Sequence, residues 1–126
     1  MVCAASEQGQ MAVNGMSYFS RNGKNANSAL LVSVNPEDFG EGNALAGVEL
    51  HRKYERLTFE SALGYTGAVQ RFEDAKTGVK SNSVGSVLPS IKSGYTLCNI
   101  KDCLPNYVFE GVIEGVMQFG KKIKGL

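Results

Sequence analysis

The sequence has no tryptophan, a single histidine and no motif that by itself announces a chemistry. With His51 alone, the multi-histidine zinc sites are excluded, and any Ser-His-acid or Cys-His arrangement must use that one residue. No Gly-x-x-x-x-Gly-Lys-Ser/Thr phosphate loop occurs. No apolar run approaches the length of about 20 residues that spans a bilayer. A basic segment followed by an apolar one, the mark of a secretory leader, is also missing. Charged residues make up 20%, and the formal net charge is +1. Taking the three tail lysines, Lys121, Lys122 and Lys124, from the thirteen Lys/Arg leaves ten against twelve Asp/Glu. A body so balanced is not the strongly basic field of a general nucleic-acid binder. An enzyme is therefore not expected, nor a cofactor or metal.

What is present begins at the end of the chain. From Leu104 to Lys124, the apolar residues Phe109, Val112, Ile113, Val116 and Phe119 recur at helical spacing. Glu110, Glu114, Gln118 and Lys121 fall on the opposite side, with acids early and lysines late, as the helix dipole prefers. Gly111, Gly115 and Gly120 each cost about 0.8–1 kcal/mol relative to alanine. Such a helix is marginal alone and needs a surface to lie on. Its apolar face, Phe109 to Phe119, is the expected subunit interface. Gly111-x-x-x-Gly115 also matches a close-packing motif for helices.

The rest reads as strands and turns within one domain, 1–126. Residues 1–10 are expected to be loosely held and 11–97 to form a β meander. Asn22-Gly23 signals a hairpin between 11–19 and 29–34. In 46–52, Ala46, Val48 and Leu50 alternate with Gly47, Glu49 and His51, and 57–65 continues the same period of two. Further strands are expected near 68–73 and 90–97, with a long polar loop from 74 to 86. The fold class that results is α+β: an antiparallel sheet of five or six strands and one C-terminal amphipathic helix. That helix would span about 27 Å, less than the whole sheet. The uncovered part predicts a partner subunit, and so a homo-oligomer.

Four cations, His51, Lys53, Arg71 and Lys92, are assigned to the sheet face away from the helix, where they could meet a nucleic-acid backbone. Glu49 and Glu60 accompany them, so a mixed polar surface accounts for the same residues. The two acids would also be the pair for glycoside chemistry, were there any. Cys98 and Cys103 bracket four residues, a spacing unlike Cys-x-x-Cys. In an oxidising compartment they could form a disulfide worth about 2 kcal/mol; in a reducing one they stay free thiols. Cys3, followed by small residues, suits a lipid-anchored N-terminus, but the plainer reading is an ordinary one with an incidental cysteine.

The layout resembles the coat proteins of single-stranded RNA bacteriophages. The likeness lies in similar length, a hairpin across Asn22-Gly23, a loop with Asn35-Pro36, alternating strands, a polar tip near 74–86 and a final helix. It implies a structural protein that dimerises by laying its helix on the partner's sheet. The dimers would close into a capsid shell around RNA in a virion, with Lys53, Arg71 and Lys92 facing the RNA. The short tail, the non-basic body and the position of the cysteines depart from that pattern. The alternative is a secreted, periplasmic or lipid-anchored β-rich binding module.

Overall fold

Between Ala46 and Ser61 the chain is one helix, α1, in the computed structural model. The sequence predicted two strands there. Leu50, Tyr54, Leu57 and Ser61, spaced by four, three and four, form its half-buried stripe, while Glu49, Lys53, Arg56 and Glu60 hold the same spacing on the exposed side. The period-two pattern fits only short windows on either side of Lys53–Arg56. The helical pattern keeps its phase through that polar link, and Leu, Glu, Arg and Lys are all good helix formers. The helix ends in a Schellman arrangement: Gly64 N donates to Phe59 O at 2.8 Å and Leu63 N to Glu60 O at 3.3 Å. Leu63 holds the left-handed conformation there, at φ 57°.

The structure describes residues 2–4, 6–40 and 42–124, with the backbone alone for 2–4. Its strands are three residues each and make two separate pairs. β1 (Val2–Ala4) is antiparallel to β2 (Val13–Gly15), with Cys3 opposite Asn14. β3 (Gly67–Val69) is parallel to β4 (Tyr95–Leu97), with Ala68 opposite Thr96. The expected antiparallel sheet of five or six strands is therefore absent among the described residues. The hairpin across Asn22-Gly23 does not form. β2 pairs with the N-terminal strand instead, and no helix or strand occurs between Gly15 and Pro36. The expected polar loop after residue 73 begins as a short helix, α2 (Phe72–Thr77), which ends at Gly78, φ 72°. α2 is the crossover that parallel strands require.

α3 spans Asn106–Gly120, inside the stretch expected to be helical. Phe109, Val112, Ile113 and Val116 are half-buried and Phe119 is exposed; no α3 residue is fully buried. Gly111 lies against Val32, whose Cγ2 would be 3.3 Å from an added Cβ. The close approach is thus to a side chain of the 16–34 segment, in the same chain. Gly115 has nothing within 4 Å of such an atom.

The buried apolar residues among those described are few: Met11, Ala62, Ala75, Cys98 and Cys103. Met11, 1% exposed, is the only large side chain fully enclosed. Its amide donates to Glu55 O of α1 at 2.9 Å. Arg52 holds the same loop from the other side, reaching Glu7 at 3.1 Å and Glu49 at 3.0 Å, so its guanidinium is raised above its ordinary pKa, first by the Glu7 hydrogen bond. Tyr65 stacks edge-on to Phe59, with ring centres 4.9 Å apart, and accepts the Gly9 amide proton at 2.9 Å.

Gly115→Ala is expected to raise stability by about 0.8–1 kcal/mol, the helix-propensity gain with nothing to displace. Gly111→Ala should fall clearly short of that, because Val32 must move. Equal shifts in denaturant midpoint for the two variants would contradict the Gly111–Val32 contact.

Candidate functional site

From Gln8 to Pro36 the sequence contains no acid, and neither does the stretch from Ala75 to Lys101. The fold brings these two acid-free stretches together. Residues 16–27 form one wall of a cleft of about 790 Å³ and residues 86–90 the other. Arg21 and Lys24 supply its charge, and among the described residues no carboxylate lines it. Among the described residues neither cation has an ion-pair partner.

The walls are held by polar side chains rather than by a ladder. Asn25 Nδ2 donates to Leu88 O at 2.9 Å, the bond that ties one wall to the other across 63 residues of chain. Asn27 Nδ2 donates to Ser17 Oγ at 3.2 Å and Ser20 Oγ to Asn22 Oδ1 at 2.7 Å. Arg21 N donates to Tyr18 O at 3.0 Å, closing a turn in which Arg21 itself takes φ 48°. Asparagine and serine suit this work, since they offer the backbone local bonds in place of a strand ladder. That is why the Asn-Gly signal yields a loop. Met16, Tyr18, Phe19, Leu31 and Val34 of the same segment are all exposed, Phe19 fully.

A second polar centre is structural. Gln70 follows β3 and uses its whole amide: Nε2 donates to Val79 O at 2.8 Å and Asn99 Oδ1 at 2.9 Å, and Oε1 accepts from Ile100 N at 2.8 Å. Buried Ser81 accepts from Arg71 N and donates to Asp74 Oδ2, at 2.8 and 2.7 Å. Together they fix the turn from β3 into α2.

The residues picked out from the sequence are distributed differently from the expectation. His51 and Lys53 stand on exposed positions of α1, Arg71 caps α2, and Lys92 sits in the turn before β4. The common sheet face assigned to them does not exist, because the strands that would carry it are a helix and loops. None of the four lines the acid-free cleft. Glu49 is paired with Arg52 on α1. Cys98 and Cys103 are neighbouring buried free thiols, and Cys103 Sγ donates to Asn99 O at 3.8 Å. Burial first, and then the neighbouring Cys103, push the Cys98 thiol up to about 11. The side chain of Cys3 is outside the described residues. Sequence reasoning missed Arg21, Lys24, Asn25 and Asn27 by treating them as a hairpin tip. The signal that could have found them is the lack of any acid across both stretches.

Among the described residues no group of three or more His, Cys, Asp or Glu is placed to hold a metal ion. Likewise no described helix is long and apolar enough to cross a membrane. Among the described residues the structure comprises two short strand pairs, three α-helices and a loop-built cationic cleft. A family model described as FAD-dependent protein, C-terminal domain-like, matches residues 1–126, and the chain belongs to that family. It is also 47% identical, over 126 residues, to an uncharacterized protein of Clostridium beijerinckii. That alignment covers 99% of the chain but 24% of the relative, so the chain spans about a quarter of the relative's length. These matches overturn the likeness to bacteriophage coat proteins, and with it the capsid function. The secreted binding module finds no support in them either.

Because the Cys98 thiol titrates higher folded than unfolded, its contribution to stability is complete below its ordinary pKa of 9.0 and is lost as pH rises toward about 11. Urea titrations across that window should show falling stability in the parent protein and a visibly shallower fall in Cys98→Ala. Identical slopes would contradict the burial assigned to this thiol.

Proposed function

We propose that this chain is a docking module of a larger flavoprotein, seated on the part that carries FAD, and that alone it is neither an enzyme nor an FAD-binding unit. The observation that carries this reading is the family membership together with the share of the relative that the chain spans. Its surface supports the same reading. The chain exposes 8957 Å², where a folded monomer of 13.5 kDa is expected to expose about 6,500 Å².

The residues present do not suit FAD as a self-contained site. Dinucleotide folds pass from a strand to a helix through a glycine-rich turn, where the backbone meets the pyrophosphate. Here β3 passes to α2 through Gln70-Arg71, with no glycine, and the Gln70 side chain fills the turn with its own bonds. The glycines that do precede a helix, Gly40 and Gly42 before α1, follow a 3₁₀ turn bearing Glu37 and Asp38. Glu49 adds a third negative charge in the first turn of α1. An anion there would meet repulsion.

The exposed apolar side chains of 16–34 and the open face of α3 are the natural docking surface. The occupant proposed is the remainder of a longer FAD-dependent protein of the matched family. A second copy of the chain, the homo-oligomer expected from the sequence, is the competing cover, and light scattering distinguishes them. At micromolar concentration the chain is expected to be monomeric and to leave FAD fluorescence unchanged. A stable dimer would give this surface to a second copy. Saturable quenching of FAD by the chain alone would overturn the assignment of FAD to the remainder.

A further inference from the structure

We infer that the acid-free cleft between residues 16–27 and 86–90 is a binding site for the oxyanion of a small molecule, a phosphate or a carboxylate. The inference stands on the cleft itself and not on how the chain docks. Three observations carry it.

The first is charge. Arg21 and Lys24 line the cleft, no carboxylate does, and neither cation is neutralised by a partner among the described residues. In a chain with nearly as many acids as bases, two unpaired cations inside a concave, acid-free surface are a local field of one sign. Lys76, Lys80, Lys92 and Lys101 belong to the second acid-free stretch and extend that field beyond the cleft.

The second is the donor set. Beside the two cations stand Ser86 and Ser90, and Asn25 and Asn27, each of which keeps one amide hydrogen after its bond within the walls. Guanidinium, ammonium, amide and hydroxyl groups all donate to oxygen, and bonds from the charged ones are the strong ones. The histidines or thiolates of a soft-metal site are missing from the lining, and so are the carboxylates that would take an amine.

The third is preorganisation. Asn25 to Leu88 O locks the walls together, Asn27 to Ser17 braces the near wall, and Arg21 is held in a left-handed turn. A non-glycine residue kept there costs free energy that the surroundings must supply, and such positions cluster at ligand sites. At about 790 Å³ the cleft admits an organic molecule around the anion, with Tyr18 and Leu88 as apolar neighbours.

The test is a titration of the ¹⁵N-labelled chain at low ionic strength with two probes, inorganic pyrophosphate and succinate. The amides of Gly23, Asn25, Asn27 and Ser86 are followed. At least one probe is expected to shift them saturably, and the probe that does so more tightly names the source of the oxyanion. Arg21→Gln with Lys24→Gln is expected to weaken that binding about tenfold. Both positions are exposed, so the variant should fold. Lys121→Gln with Lys122→Gln removes as much charge outside the cleft and is expected to leave binding unchanged. The site is overturned if neither probe shifts these amides saturably. It is equally overturned if the cleft variant binds like the parent, or if the tail variant weakens binding as much as the cleft variant does.

Discussion

The shortage of core is the constraint on which the rest of this structure depends. Among the described residues only Met11 is a large, fully enclosed side chain, and the other buried apolar residues are two alanines and two cysteines. Burial at about 25 cal/mol per Å² is the main favourable term in folding, and a domain with little of it must find more elsewhere. Here polar ties do part of that work. Arg52 bridges Glu7 and Glu49, Gln70 spends its whole amide on three partners, and Tyr65 joins the end of α1 to Gly9. Such ties fix geometry well and stabilise modestly, since each replaces bonds to water. They set the shape of a module while leaving many large apolar side chains exposed.

That surface is unevenly spread. The 16–34 segment has no helix or strand, yet it carries Met16, Tyr18, Phe19, Leu31 and Val34 in exposed positions. It reaches α3 through Val32 and Gly111, and residues 86–90 through Asn25. One irregular segment therefore supplies a helix contact, a cleft wall and a large share of the exposed apolar surface. Segments of this kind carry function on a rigid scaffold, and here the named contacts that hold the segment run to α3 and to residues 86–90.

The C-terminal helix was legible in the sequence because three turns of apolar spacing admit one period only. α1 was not, because its halves can each be read with a period of two; Leu50, Tyr54, Leu57 and Ser61 betray the helix only when the polar link is kept in the same frame. The expected sheet failed for the same reason, since most of its strands came from α1 and from the asparagine-rich loop. Three-residue strands such as β3 and β4 leave too few positions for any alternation to register. The expected need for a covering partner was drawn from a half-bare sheet. The apolar surface of this fold lies instead on loops and one helix. The cleft was hidden because its walls lie about sixty residues apart in sequence and meet through Asn25 and Leu88.

Hydrogen exchange tests the docking most directly, measured on this chain alone and on the intact Clostridium beijerinckii relative. Amides from 16 to 34 have few backbone partners in the module and should exchange quickly in the isolated chain. In the intact relative the matching amides, and those on the open face of α3, should slow by at least about tenfold as the remainder covers them. Equal exchange rates in the two proteins would contradict the docked module.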